Sequence, residues 1–219
     1  MSSKELDRLF STIRSCPYYN EENPPCNRIK KFEPVVNTFS PQQRFMIISS
    51  DPSGDTNKKL DDNVPHSDFA LRFISLMFTG SDNEASVQQI TQNFAEFQRI
   101  FNKYFYWTHF SKCYAQGNPN GHCATTYLQK EIALINPSLI ISLGSKPVDF
   151  LLGKEKLSER VNKVIYYQKT PLIASLHPSR DWNLGRRPQY KFDETWQLVK
   201  RIVKYSDEDT RIIRKLLEK

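Results

Sequence analysis

Phe45 to Ile48 are apolar without a break, and the run passes through Ser49 and Ser50 before Asp51-Pro52 stops it. A short apolar run ended by turn formers predicts a buried strand, central in a parallel sheet. Pro52 has no N–H to continue a ladder, so the strand must end near Asp51. Leu139 to Leu143 repeats the pattern between Asn136-Pro137 and Gly144, while Phe105–His109, Val164–Tyr167 and Leu172–Leu176 read as further strands. Helical spacing fills the intervals: Leu6, Leu9, Phe10 and Ile13 within 4–15, and Phe69, Phe73, Ile74 and Met77 within 67–78. Val87, Ile90, Phe94, Phe97 and Phe101 form the stripe of one long helix over 81–104. Helices are also predicted over 123–135, 147–152 and 192–205, with a short charged one closing the chain. Strands alternating with helices predict the α/β class, as a three-layer α/β/α sandwich around a central, mainly parallel four-stranded sheet.

The 219 residues suffice for one core, so a single domain over 1–219 is expected. A net charge of +7 is compatible with a polyanion such as nucleic acid, and equally with a lysine-rich soluble protein. No apolar run approaches the ~20 residues that span a membrane, and the N-terminus lacks a signal-peptide core. A cytoplasmic chain is expected, in the nucleoid or nucleus where there is one. Its four cysteines are then poor candidates for disulfides. No glycine-rich phosphate loop follows the first strand, which weighs against a nucleotide-binding α/β protein.

Ligands of open α/β sheets bind beyond the strand C-termini. Asp51-Pro52, Thr108-His109, Leu143-Gly144 and His177-Pro178-Ser179 all stand at such ends. Taken alone, Asp51-Pro52-Ser53-Gly54 is an ordinary set of turn formers. In this order, however, with THFSKCYAQGNPNGHC and TYLQKEIALINPSLIISLG between the first and last, the motifs resemble the uracil-DNA glycosylase superfamily. The likeness covers roughly 16–203 and is strongest to the iron–sulfur-containing family 4. No single motif is specific; the order is the signal.

The resemblance implies a monofunctional DNA glycosylase that hydrolyses the N-glycosidic bond of uracil in DNA, in base-excision repair. Its alternative is a non-catalytic or altered-specificity DNA-binding member of the fold. Such chemistry needs an everted base, a carboxylate for the attacking water and a donor for the departing base. Asp51 matches the family 1 aspartate that serves the water, where family 4 usually carries alanine, and His177 matches the donor. Ser50, Pro52 and Ser179 fall in the substrate-binding motifs. Phe69 matches the base-stacking aromatic, with Phe73 as fallback. His109 stands where an asparagine commonly reads uracil, so bases other than uracil come into range. Arg180, Trp182, Asn183, Arg186 and Arg187 would form the loop that enters the duplex and holds phosphates.

Cys16, Cys26, Cys113 and Cys123 follow the order of the family 4 [4Fe–4S] ligands, although both pairs here have nine intervening residues where the family's first is closer and its second wider. Zinc, with His122 as a spare ligand, and four free thiols are the alternatives. The expected partner is uracil-containing DNA, and the expected state a monomer.

Overall fold

The computed structural model describes residues 3–29, 33–52, 68–179 and 187–218. Helix α1 (Ser3–Arg14) precedes β1 (Phe45–Ser49), and α2 (Asp68–Thr79), α3 (Glu84–Gln92) and α4 (Phe94–Tyr104) lead to β2 (Phe105–His109). A π-helical turn (Ala124–Leu128) runs into α5 (Gln129–Ile135), followed by β3 (Leu139–Leu143), α6 (Ser145–Leu152), β4 (Val164–Tyr167) and β5 (Thr170–Ser175). Helices α7 (Phe192–Ile202) and α8 (Asp207–Leu217) end the fold.

The strand order is β2-β1-β3-β5-β4, with the first four parallel and β4 antiparallel to β5. The sheet therefore has five strands among the described residues rather than four. Val164–Tyr167 adds to the edge as the first arm of a hairpin, where Gln168 takes a positive φ of 55°. The long helix expected over 81–104 is two: the backbone leaves helical geometry at Asn93 (φ −133°, ψ 30°), so α3 packs on α2 and α8 while α4 turns onto β2.

Alternation along the strands divides the core. Phe45, Ile47, Phe105, Trp107, Leu139 and Ile141 face α2, α3, α4, α7 and α8. Met46, Ile48, Tyr106, Ile140, Leu172 and Ala174 face α1, α5 and α6. This is the α/β/α sandwich. The chain leaves β1 toward β2 on one side, and β3 joins β1 on the other, so the topological switch lies between β1 and β3, where open α/β folds form their crevice.

Candidate active site

The carboxyl ends of the parallel strands bring the candidate residues to one edge of the sheet. Ser49 is in register with His109, and Gly144, just past β3, donates its N–H to the Ser175 carbonyl at the end of β5 (2.8 Å). A Cβ on Gly144 would stand 3.6 Å from Ser50 Oγ, and its φ of 88° is one that few side chains tolerate. Ser50, Gly144 and Ser175 thus line up across the switch, with Asp51 following the first and His177 the last. Strands lie about 4.8 Å apart, so β1 and β5 are separated by roughly 10 Å.

Asp51 is half-buried, and its Oδ2 accepts hydrogen bonds from the N–H groups of Ala115 and Gly117, both 3.0 Å. Pro52 is buried, and the Ser50 carbonyl accepts from Ser111 N–H (2.8 Å). His177 lies just beyond β5, with Nδ1 2.7 Å from Ser179 Oγ. The Phe69 ring, from the first turn of α2, lies nearly parallel to the His177 imidazole (14°, centroids 5.9 Å apart). Phe73 is fully buried against Trp107, Phe101 and Trp196, so the fallback residue belongs to the core.

His109 ends β2 on the same face as Trp107. Burial first, and then the charges of Lys112 and His177, lower its pKa to about 3. The ring is therefore neutral at physiological pH and offers one donor and one acceptor. On the opposite face of β2 is a buried polar network absent from the sequence expectations. Lys112 and Glu131 form an ion pair, 2% and 1% exposed, and Thr108 Oγ1 donates to Glu131 (2.9 Å). The Tyr106 hydroxyl also donates to Glu131. The sequence held one signal for it: Glu131 lies in helical register with buried Leu128 and Ile135, a carboxylate on the apolar stripe.

All four cysteines are free thiols and gather under the 113–123 loop. Each pair among Cys16, Cys26, Cys113 and Cys123 is close enough for one thiolate to disfavour the other. Burial, and then these neighbours, hold Cys113 up at about 12. Tyr127 donates its hydroxyl to Cys16 Sγ (3.7 Å). The His122 ring packs edge-on against Tyr18 (5.1 Å), and its buried Nε2 has no hydrogen-bond partner among the described residues. Among the described residues, no three His, Cys, Asp or Glu side chains close on a single-ion site.

Arg187 is exposed, immediately before a 3₁₀ turn (Pro188–Tyr190). Arg180, Trp182, Asn183 and Arg186 lie outside the described residues, as do Ser53 and Gly54.

A family model described as the uracil DNA glycosylase superfamily matches residues 36–200, most of the chain and every strand of the sheet. The chain belongs to the uracil DNA glycosylase superfamily. Membership carries with it, in general terms, glycosylase chemistry of the hydrolase class on a DNA substrate. No curated protein matches the chain at a significant level. No helix among the described residues is long and apolar enough to cross a membrane.

Proposed function

We propose that this protein is a monofunctional uracil-DNA glycosylase of base-excision repair. It would act as a single-domain monomer over 1–219 in the cytoplasm, nucleoid or nucleus, on uracil-containing DNA. The observation that carries the reading is that Asp51, His109 and His177 all stand at the carboxyl ends of the parallel strands, with the two imidazoles close enough to sense each other, in a chain of this superfamily.

Hydrolysis of the N-glycosidic bond places positive charge on the sugar and negative charge on the departing base. Asp51 orients the attacking water and accepts its proton. In the tautomer this mechanism requires, Ser179 donates across its 2.7 Å contact with Nδ1, and His177 carries its proton on Nε2 and donates to the base carbonyl as charge develops there. Phe69, beside His177, supplies a flat wall on which any base can stack. Ser50 and Pro52 shape the floor, and Arg180, Trp182, Asn183, Arg186 and Arg187 hold the DNA strand.

His109 reads the base edge. An asparagine amide presents donor and acceptor side by side, whereas the nitrogens of an imidazole diverge, so one nitrogen at a time meets a base. This supports a base range wider than uracil, extending to other deaminated bases.

Cys16, Cys26, Cys113 and Cys123 would hold a [4Fe–4S] cluster. Four thiolates are the donor set such a cluster requires. Around a zinc ion the sulfurs would stand about 3.8 Å apart. The mutual proximity of the four thiols supports one shared group. Bound there, the cluster would fasten the 16–26 segment to the 113–123 loop and take no part in bond cleavage. Anaerobically purified protein should be brown, and a colourless protein carrying stoichiometric zinc would reverse the assignment.

Uracil-containing oligonucleotides treated with the protein and then with alkali test the activity. Wild-type protein should leave cleavable abasic sites, and Asp51→Asn should be slower by about 10²–10⁴-fold. No cleavage by the wild type would leave the DNA-binding alternative, and a fully active Asp51→Asn would remove the base from the mechanism.

A further inference from the structure

Among the described residues, Asp51 is held by a turn that begins 64 residues further along the chain. Ala115 and Gly117 both aim their N–H groups at Oδ2, each at 3.0 Å. The turn closes with Asn118 N–H on the Ala115 carbonyl (2.9 Å), and both central residues take positive φ, Gln116 at 53° and Gly117 at 73°. Amides of one turn that converge in this way, here those on either side of Gln116, form a backbone nest, a concavity that binds anions. Glutamine in the left-handed region is sterically disfavoured, so something must over-determine the turn. Both of its ends are fixed. Cys113, two residues before it, is buried, with its carbonyl accepting from Ser111 Oγ (2.9 Å), and the Asn118 carbonyl accepts from Asn27 Nδ2 (3.0 Å).

We infer that the Ala115–Gly117 nest is the positioning element of Asp51, fixing Oδ2 so that Oδ1 is the oxygen that meets the attacking water. The inference rests on the reading of Asp51 as the base and goes beyond it by dividing the labour of the two oxygens. It also makes Gly117, a residue to which the resemblance assigned no role, a determinant of the chemical step. Because the nest hangs from Cys113, the thiol site and the carboxylate share one loop.

Gly117 allows a clean perturbation, since a Cβ there meets nothing within 4 Å and only the backbone responds. Valine at φ 73° is strongly disfavoured, and asparagine tolerates it. In Gly117→Val, kcat for uracil release should fall at least tenfold while KM stays within twofold, and Gly117→Asn should recover most of the loss. Amide hydrogen exchange provides a readout independent of activity. The Ala115 and Gly117 amides should exchange at least tenfold faster in Asp51→Ala, but near the wild-type rate in Asp51→Asn, whose amide oxygen still accepts both bonds. Unchanged exchange in Asp51→Ala, or a folded Gly117→Val with wild-type kcat, would overturn the inference. A wild-type protein that releases no uracil would defeat the functional reading instead, and exchange alone would then decide whether the nest anchors Asp51.

Discussion

At pH 7 the His109 imidazole is neutral, because burial, Lys112 and His177 all disfavour the charged form. The consequence for stability has a definite sign. From about pH 3 to 6.5 the unfolded chain binds a proton on this residue that the folded chain does not. His109 therefore makes stability rise with pH across that window and contributes no further change above it. Urea midpoints measured from pH 4 to 7 should show this slope, and His109→Gln should flatten it. The ring resonances of His109 should not titrate between pH 5 and 8. In the proposed mechanism the same residue would set the base range. His109→Asn restores a side-by-side donor and acceptor, and should raise the ratio of uracil to hypoxanthine release by at least tenfold. An unchanged ratio would remove His109 from base reading.

The ion pair beneath β2 joins a strand end to α5. Lys112 and Glu131 are both almost fully buried, with Thr108 and Tyr106 completing the carboxylate's partners. Breaking such a pair from one side leaves an uncompensated charge and costs about 3–5 kcal/mol. Lys112→Met should lose stability on that scale in urea denaturation, and Lys112→Met/Glu131→Leu should recover much of it. A single variant within about 1 kcal/mol of wild type would show the pair to be dispensable. The network also marks the limit of what the pattern of residues reveals. Runs such as Phe45–Ser49 and Leu139–Leu143 announce strands because burial on both faces demands unbroken apolar sequence. Asn93 does not announce the break between α3 and α4, because the phenylalanine stripe continues across it in register. The π-helical turn before α5 is equally silent, since one extra residue in a turn leaves the apolar spacing readable as α-helix. The places of Asp51, His109 and His177 at strand ends were legible in the sequence. The nest was not, since backbone N–H groups carry no residue signature. Gln116-Gly117 reads only as a turn.

The superfamily match spans 36–200, and segments on both sides of it pack onto the fold. At the C-terminus, α8 docks through Asp209. Burial alone would raise that carboxyl, but hydrogen bonds from Lys103 (2.7 Å), Tyr104 (2.6 Å) and Ser206 (2.9 Å) outweigh it and take the pKa down to about 2. The stabilisation is fully present above the ordinary value of 3.8 and is lost as pH falls toward 2, an effect of about 2 kcal/mol. Asp209→Asn should lower the unfolding midpoint at pH 6 and show a shallower loss between pH 4 and 2. At the N-terminus, the segment carrying Cys16 and Cys26 meets the 112–127 region mainly through polar contacts. Asn120 Nδ2 donates to the Pro25 carbonyl (2.6 Å), Ile29 N–H to the Tyr114 carbonyl (2.9 Å) and Val35 N–H to the Lys112 carbonyl (2.7 Å). Among residues 16–29 only Cys26 is buried, so little apolar area secures this stretch. A metal group bound by all four cysteines would then supply cohesion that packing does not, and its binding energy would appear as folding energy. Stripping iron by chelation under oxidising conditions should make the 16–35 segment the first site of proteolysis, with the sheet still intact. Cys26→Ser and Cys113→Ser should each lose iron and reproduce that cleavage pattern. Equal proteolysis before and after stripping would mean that the segment is held by its hydrogen bonds alone, and that the four thiols meet without holding a group between them.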